Sequence, residues 1–128
     1  MVKGISPVQR TLRELRKQGL VADIVERRLP AGPGMPYGKT LDFLHIIDLM
    51  ALDPNRGVVG IQVCGSDVPS HMKKIKEQHV NNTIAWLETP GTSLEVWGWR
   101  KVKLRRGGKA MRWSPRVRMF SLDDLEVA

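Results

Sequence analysis

Asp48 stands inside a nearly continuous apolar segment, residues 41–52 (LDFLHIIDLMAL), between Ile46, Ile47, Leu49 and Met50. A carboxylate in such surroundings is costly unless it is paired or bound to a metal. Gln62, Val63 and Cys64 close a second apolar segment, residues 58–64. Alternation along a strand points Gln62 and Cys64 to one face and Val63 to the other. The turn formers of residues 53–57 (DPNRG) separate the two segments. A hairpin through that turn brings Asp48 beside Gln62 and Cys64. An aspartate oxygen, the Gln62 amide oxygen, the Val63 carbonyl and water make a reasonable shell for a hard divalent cation such as Mg2+ or Mn2+.

Each of these residues also has a purely structural reading. Asp48 can be a buried acid paired with Arg27 or Arg28 on a neighbouring strand. Gln62 can bond backbone groups, and Cys64 can serve as a small buried apolar residue. His45 precedes Asp48 by three residues, so a strand places it on the opposite face, in a structural role. His71 and His79 are two helical turns apart, too far for one metal. One cysteine and three scattered histidines match no zinc pattern. The chain has no P-loop and no G-x-S-x-G motif.

The elements that must position these residues follow from pattern. Ser6-Pro7 starts a helix that carries Val8, Leu12 and Leu15 at helical spacing and stops at Gly19. Residues 21–29 read as a strand. Residues 30–38 (PAGPGMPYG) hold three prolines and three glycines and join two strands as a loop. Residues 41–52 and 58–64 are buried central strands. Ser70 caps a helix through Met72 and Ile75 to about Val80; Asn81-Asn82 breaks it, and residues 83–88 form a short further helix. Residues 94–104 alternate as a strand, with Leu94, Val96, Gly98 and Arg100 on one side and Glu95, Trp97, Trp99 and Lys101 on the other. Gly107-Gly108 turns the chain into a return strand, residues 110–120, and the tail from Ser121 to Leu125 forms a helical turn. The expectation is a single α/β domain over residues 1–128, a mixed central sheet of about five strands with helices on its faces.

The net charge is +8, from 21 basic and 13 acidic residues. Nine of the basic residues lie between positions 99 and 118, where there is no acid: Arg100, Lys101, Lys103, Arg105, Arg106, Lys109, Arg112, Arg116 and Arg118. The rest of the chain is almost neutral, so one segment holds the whole excess. Such a localised field suits phosphate backbones, and the prediction is nucleic-acid binding, with DNA as the partner. The alternative is a solvated charged surface. Trp97, Trp99 and Trp113 interrupt or flank the run; they suit base stacking or cation–π contacts, and equally a packed core. The single cysteine excludes an internal disulfide. No apolar run approaches the roughly 20 residues of a membrane span, and residues 1–7 lack the apolar region of a signal peptide. A reducing, cytosol-like compartment is expected, with no membrane partner.

The order helix, strand, strand with Asp, turn, strand ending in acid-or-Gln, x, Lys, then helix resembles the core of the PD-(D/E)XK nuclease superfamily. The segment IIDLMALDPNRGVVGIQVCG, followed by a helix with HMKKI, is similar to small phage-type endonucleases and Holliday-junction-resolvase-like members. The resemblance covers roughly residues 7–82 and rests on a short, degenerate motif. It implies a restriction-endonuclease-like core and Mg2+- or Mn2+-dependent hydrolysis of DNA phosphodiester bonds, including branched-DNA resolution. It further implies a homodimer, because two strands must be cut, and a phage-encoded or bacterial cytosolic setting. Asp48 matches the family's metal-binding aspartate, and Gln62 the position usually held by Glu. Cys64 falls where the family has the lysine that orients or activates the attacking water. Lys73 or Lys74 on the next helix, or His71 at its start, would have to substitute. Glu14 on the first helix resembles an additional acidic ligand of some resolvase-like members. Without the lysine, a catalytically inactive nucleic-acid-binding module on the same fold is the alternative, and a basic protein-interaction subunit is a third reading.

Overall fold

The computed structural model describes residues 4–34 and 38–125. Of the prolyl loop 30–38, residues 35–37 lie outside the described residues, as do the first three residues of the N-terminal segment. Helix α1 (Pro7–Lys17) begins where Ser6, in extended conformation, accepts the Gln9 N–H on its side chain with Pro7 in the first turn. It ends before Gly19, whose φ of +87° ends the helix in the left-handed region. Its buried residues are Thr11, Leu12 and Leu15.

Five strands make the main sheet: β1 (Val21–Ile24), β4 (Leu49–Asp53), β5 (Gly57–Val63), β6 (Thr92–Lys103) and β7 (Met111–Phe120), in the order β1-β4-β5-β6-β7. All neighbours are antiparallel except β5 and β6, which run parallel. A parallel pair requires a crossover. Helices α2 (Val68–Gln78) and α3 (Val80–Glu88) supply it. The sheet is therefore mixed, and both its faces are covered. On one face α1 packs Leu12 and Leu15 against Leu49, Val59, Ile61, Val63, Trp97 and Trp99. On the other, Val68, Ile75 and Trp86 pack with Cys64, Leu94, Val96 and Phe120. A separate two-stranded sheet pairs β2 (Arg27–Leu29) with β3 (Lys39–Leu41), joined by the 30–38 segment. The tail turn is a 3-10 helix, Leu122–Leu125.

Two expected strands are each cut in two. The segment 21–29 bends after Ile24, because the N–H groups of Val25 and Glu26 both donate to the single Asp48 carbonyl, at 2.9 and 3.3 Å. The segment 41–52 leaves β3 at Asp42 and closes a tight turn. Phe43 and Ile47 exchange both backbone hydrogen bonds, at 2.8 and 2.9 Å, with Leu44 and His45 between them at φ of 54° and 63°. The left-handed region is unfavourable for residues with a Cβ. Burial of Ile46 and Ile47 at 0 % exposure, and the Asn82 amide donating to the Leu44 carbonyl at 2.9 Å, hold the turn in place. Continuous apolar character here reflects a turn anchored by the buried Ile46 and Ile47 rather than a strand.

The second helical region also differs from expectation. Asp67, not Ser70, caps α2 and accepts the Ser70 N–H at 3.2 Å. The break falls at His79, so Asn81 and Asn82 lie inside α3. Gly98 is required where β6 passes the start of α2: a Cβ there would collide with Val68 Cγ2 and lie 2.7 Å from the Gly65 carbonyl oxygen.

Candidate functional site

The bend at Glu26 and the closed turn at 43–47 act together. Because Phe43 pairs with Ile47, Asp42 and Asp48 flank the closure and face each other across it. Because Val25 and Glu26 wrap the Asp48 carbonyl, Glu26 joins them. Carboxylate oxygens of Glu26, Asp42 and Asp48 all lie within 4.8 Å of one another. Asp48 is buried, at 5 % exposure, while Glu26 and Asp42 are half-buried. One Asp48 oxygen accepts the Val63 N–H at 2.7 Å, which ties the cluster to the end of β5.

Neither Arg27 nor Arg28 pairs with Asp48. Both are exposed on β2, and the ion pairs among the described residues all belong to Arg56, which bridges Asp53 and Glu95. The cluster is therefore three acids with no paired cation among the described residues. Burial, followed by a hydrogen bond in which the protonated Asp48 donates to Asp42, pushes the Asp48 carboxyl up to about 9, and the Val63 N–H only partly opposes this. Burial and the Asp42 charge likewise raise Glu26. Hard oxygen donors held this close suit a divalent cation. The residues that could hold one are Glu26, Asp42 and Asp48, a set that shares only Asp48 with the expected shell of Asp48, Gln62 and the Val63 carbonyl. Val63 contributes its N–H to the cluster by holding Asp48.

Gln62 is 4 % exposed, on the α2 side of the sheet, with its Oε1 3.4 Å from His71 Nδ1. Lys74 follows His71 by one turn on the same flank, and its charge lowers the His79 pKa behind the larger effects of burial and His45. Lys73 points elsewhere, into a cleft with Met72, Phe120 and Asp124. Glu14 stays on α1, which packs on the opposite face of the sheet, and there it accepts a bond from Gln18 at 3.4 Å. Cys64 is a buried apolar neighbour of Val68 and Val96, and burial raises its thiol pKa. His45 is not on a strand at all; its ring stacks on His79 at 5.7 Å between centroids.

The basic segment is the β6–β7 hairpin, and all nine cations are exposed. Strand β6 pairs with β5 only as far as Trp97, then continues with β7 alone to Lys103. The hairpin thus projects from the sheet end where β5 stops, the end that carries the acid cluster. Register puts Arg100, Arg112, Arg116 and Arg118 on the α2 face with Val96 and Gly98, while Lys101 and Lys103 share the α1 face with Trp99. Arg105, Arg106 and Lys109 lie in the connecting turn. Trp97 and Trp99 are core residues, at 4 % and 6 % exposure; Trp113 is 43 % exposed.

Sequence reasoning missed Glu26 and Asp42. The available signal was that Asp42 and Asp48 are the only acids in an apolar twelve-residue run. Comparison with protein-family models, with curated proteins and with solved structures finds no match.

Proposed function

We propose that this protein is a divalent-metal-dependent phosphodiesterase acting on DNA, an endonuclease of PD-(D/E)XK type. The observation that carries the reading is the coincidence, at one end of the sheet, of three clustered carboxylates with no paired cation among the described residues and a hairpin of nine exposed cations. Acids alone would repel a phosphate backbone; the arginines of the hairpin supply the opposite field and hold the strand. Glu26, Asp42 and Asp48 would hold the cation, which when bound supplies an activated water and neutralises charge on the scissile phosphate. The Val63 N–H fixes the Asp48 carboxylate. His71, against Gln62, can accept a proton at Nε2 if Nδ1 carries one, and Lys74 adds positive charge on the same flank. DNA branch specificity and a homodimer belong to the same proposal, since cutting both strands needs two such centres.

Cys64 favours a second reading, binding without cleavage. It occupies the place of the family's lysine, it is buried, and a thiol there brings no cation. The test is incubation of four-way-junction and linear duplex DNA with Mg2+ or Mn2+. Cleavage by the wild type, lost in Asp48→Asn and Asp42→Asn with binding retained, supports the nuclease reading. Equal cleavage by Asp48→Asn would refute the assigned centre. Salt-sensitive binding with no cleavage under either metal leaves the binding module.

A further inference from the structure

The end of the sheet where β5 stops also holds a cavity of about 400 Å³. Ile5, Pro7 and the buried Trp99 give it apolar walls, and Arg10, Trp113 and Ser66 line it as well. Arg100 and Lys101 complete the lining, which contains no acid. The Arg10 guanidinium lies 4.5 Å from the Trp113 ring centroid and 5.8 Å from that of Trp99, and the Lys101 ammonium is 5.3 Å from Trp113. Trp99 is locked by its indole N–H, which donates to Thr11 Oγ1 at 2.8 Å. Gly65 and Ser66 continue directly from Gln62-Val63-Cys64, so the cavity and the acid cluster share the end of β5.

We infer that this cavity takes one unpaired nucleobase of a bound nucleic-acid strand, stacked on the Arg10–Trp113 pair, with a flanking phosphate on Lys101. Four features argue for this occupant. A planar guanidinium already packed on an indole is the start of a stack that a flat ring extends. Trp113 remains 43 % exposed despite two cations against it, so ring surface is left to cover. The volume is at the small end of ligand sites, about 300–1,000 Å³, which suits a base and excludes a duplex. The lining is cationic without an acid, and Lys103, exposed on the same face of the hairpin, continues from it towards Arg105 in the turn, so backbone leaving the base meets positive charge.

The inference rests on the nucleic-acid reading above and makes it more specific: the preferred DNA has a base already free of pairing, as at a branch point, a bulge or a single strand. The test uses a short single-stranded DNA carrying one 2-aminopurine, titrated with the full chain in EDTA so that nothing is cut. Binding with strong quenching of the 2-aminopurine is expected, because stacking quenches it. Trp113→Ala should lose most of that quenching and weaken binding about 5- to 150-fold, the worth of one stacked base, and Trp113→Phe should restore both. Binding without quenching, or quenching unchanged in Trp113→Ala, overturns the pocket assignment and leaves the nucleic-acid reading standing. No binding to any oligonucleotide overturns both. A free 2-aminopurine nucleotide bound as tightly as the strand would make this a nucleotide site and overturn the strand as occupant.

Discussion

Asp48 offers the most direct physical test of the acid cluster, through the pH dependence of folding. Its carboxyl is pushed up to about 9, first by burial and then by Asp42, from an ordinary value of 3.8. The folded state therefore holds a proton that the unfolded chain has released. The stability from that proton is complete below the unfolded value and is lost as pH rises through about 9. One such proton gives a slope of about 1.4 kcal/mol per pH unit. Between pH 7 and 8.5 the metal-free protein should lose about 2 kcal/mol, or about 8 °C of melting midpoint in a domain of this size. The window avoids His79, which burial lowers from 6.5, and Cys64, which burial raises from 9.0. Thermal melts in EDTA at several pH values read the slope. Saturating Mn2+ should flatten or reverse it, because carboxylate ligation requires and completes deprotonation. Asp48→Asn should lose the Asp48 share of the slope, since the amide oxygen can still accept the Val63 N–H and carries no proton to release. A wild-type midpoint independent of pH in EDTA, or the same slope in Asp48→Asn, would refute the reasoning.

Other expectations concern the elements around the cluster. Asn82→Ala removes the bond to the Leu44 carbonyl; it should cost about 1 kcal/mol in urea unfolding and weaken Mn2+ binding measured by calorimetry, because the turn that sets Asp42 loosens. Gly98→Ala forces β6 away from Val68 and Gly65; a loss of about 1–3 kcal/mol in the same unfolding assay is expected. Replacing Arg112, Arg116 and Arg118 by Gln should lower the slope of log affinity against log salt by about 0.9 for each phosphate no longer neutralised, measured by fluorescence anisotropy on duplex DNA. The thermal midpoint should hardly change, because all three are exposed.

Much of the architecture was legible because it depends on local pattern. Ser6-Pro7, the alternation through Trp97 and Trp99, and the DPNRG turn each announce themselves in a few residues, and the α/β class with a mixed five-stranded sheet follows from their order. The site was legible only at Asp48, whose charge is conspicuous among apolar neighbours. Glu26 and Asp42 were not, because their approach depends on two backbone departures that composition does not encode. One is the pair of N–H groups turned onto the Asp48 carbonyl; the other is the left-handed backbone at Leu44 and His45, residues that do not signal such a turn as glycine or asparagine would. Glu14 illustrates a related limit: helical spacing gives neighbours along a helix but not the sheet face that the helix covers, and α1 covers the face opposite Gln62.

The closed turn at 43–47 has a consequence for how this chain can vary in length. The separation of Asp42 from Asp48 is set by five intervening residues and two mutual backbone bonds, not by the sheet. An insertion or deletion there would pull one acid out of the cluster even if every strand still formed. The 30–38 segment, by contrast, connects β2 to β3 outside the main sheet, so a change in its length leaves both acids in place. Drift in chain length should therefore collect in the prolyl segment, while the five residues between the aspartates keep their count.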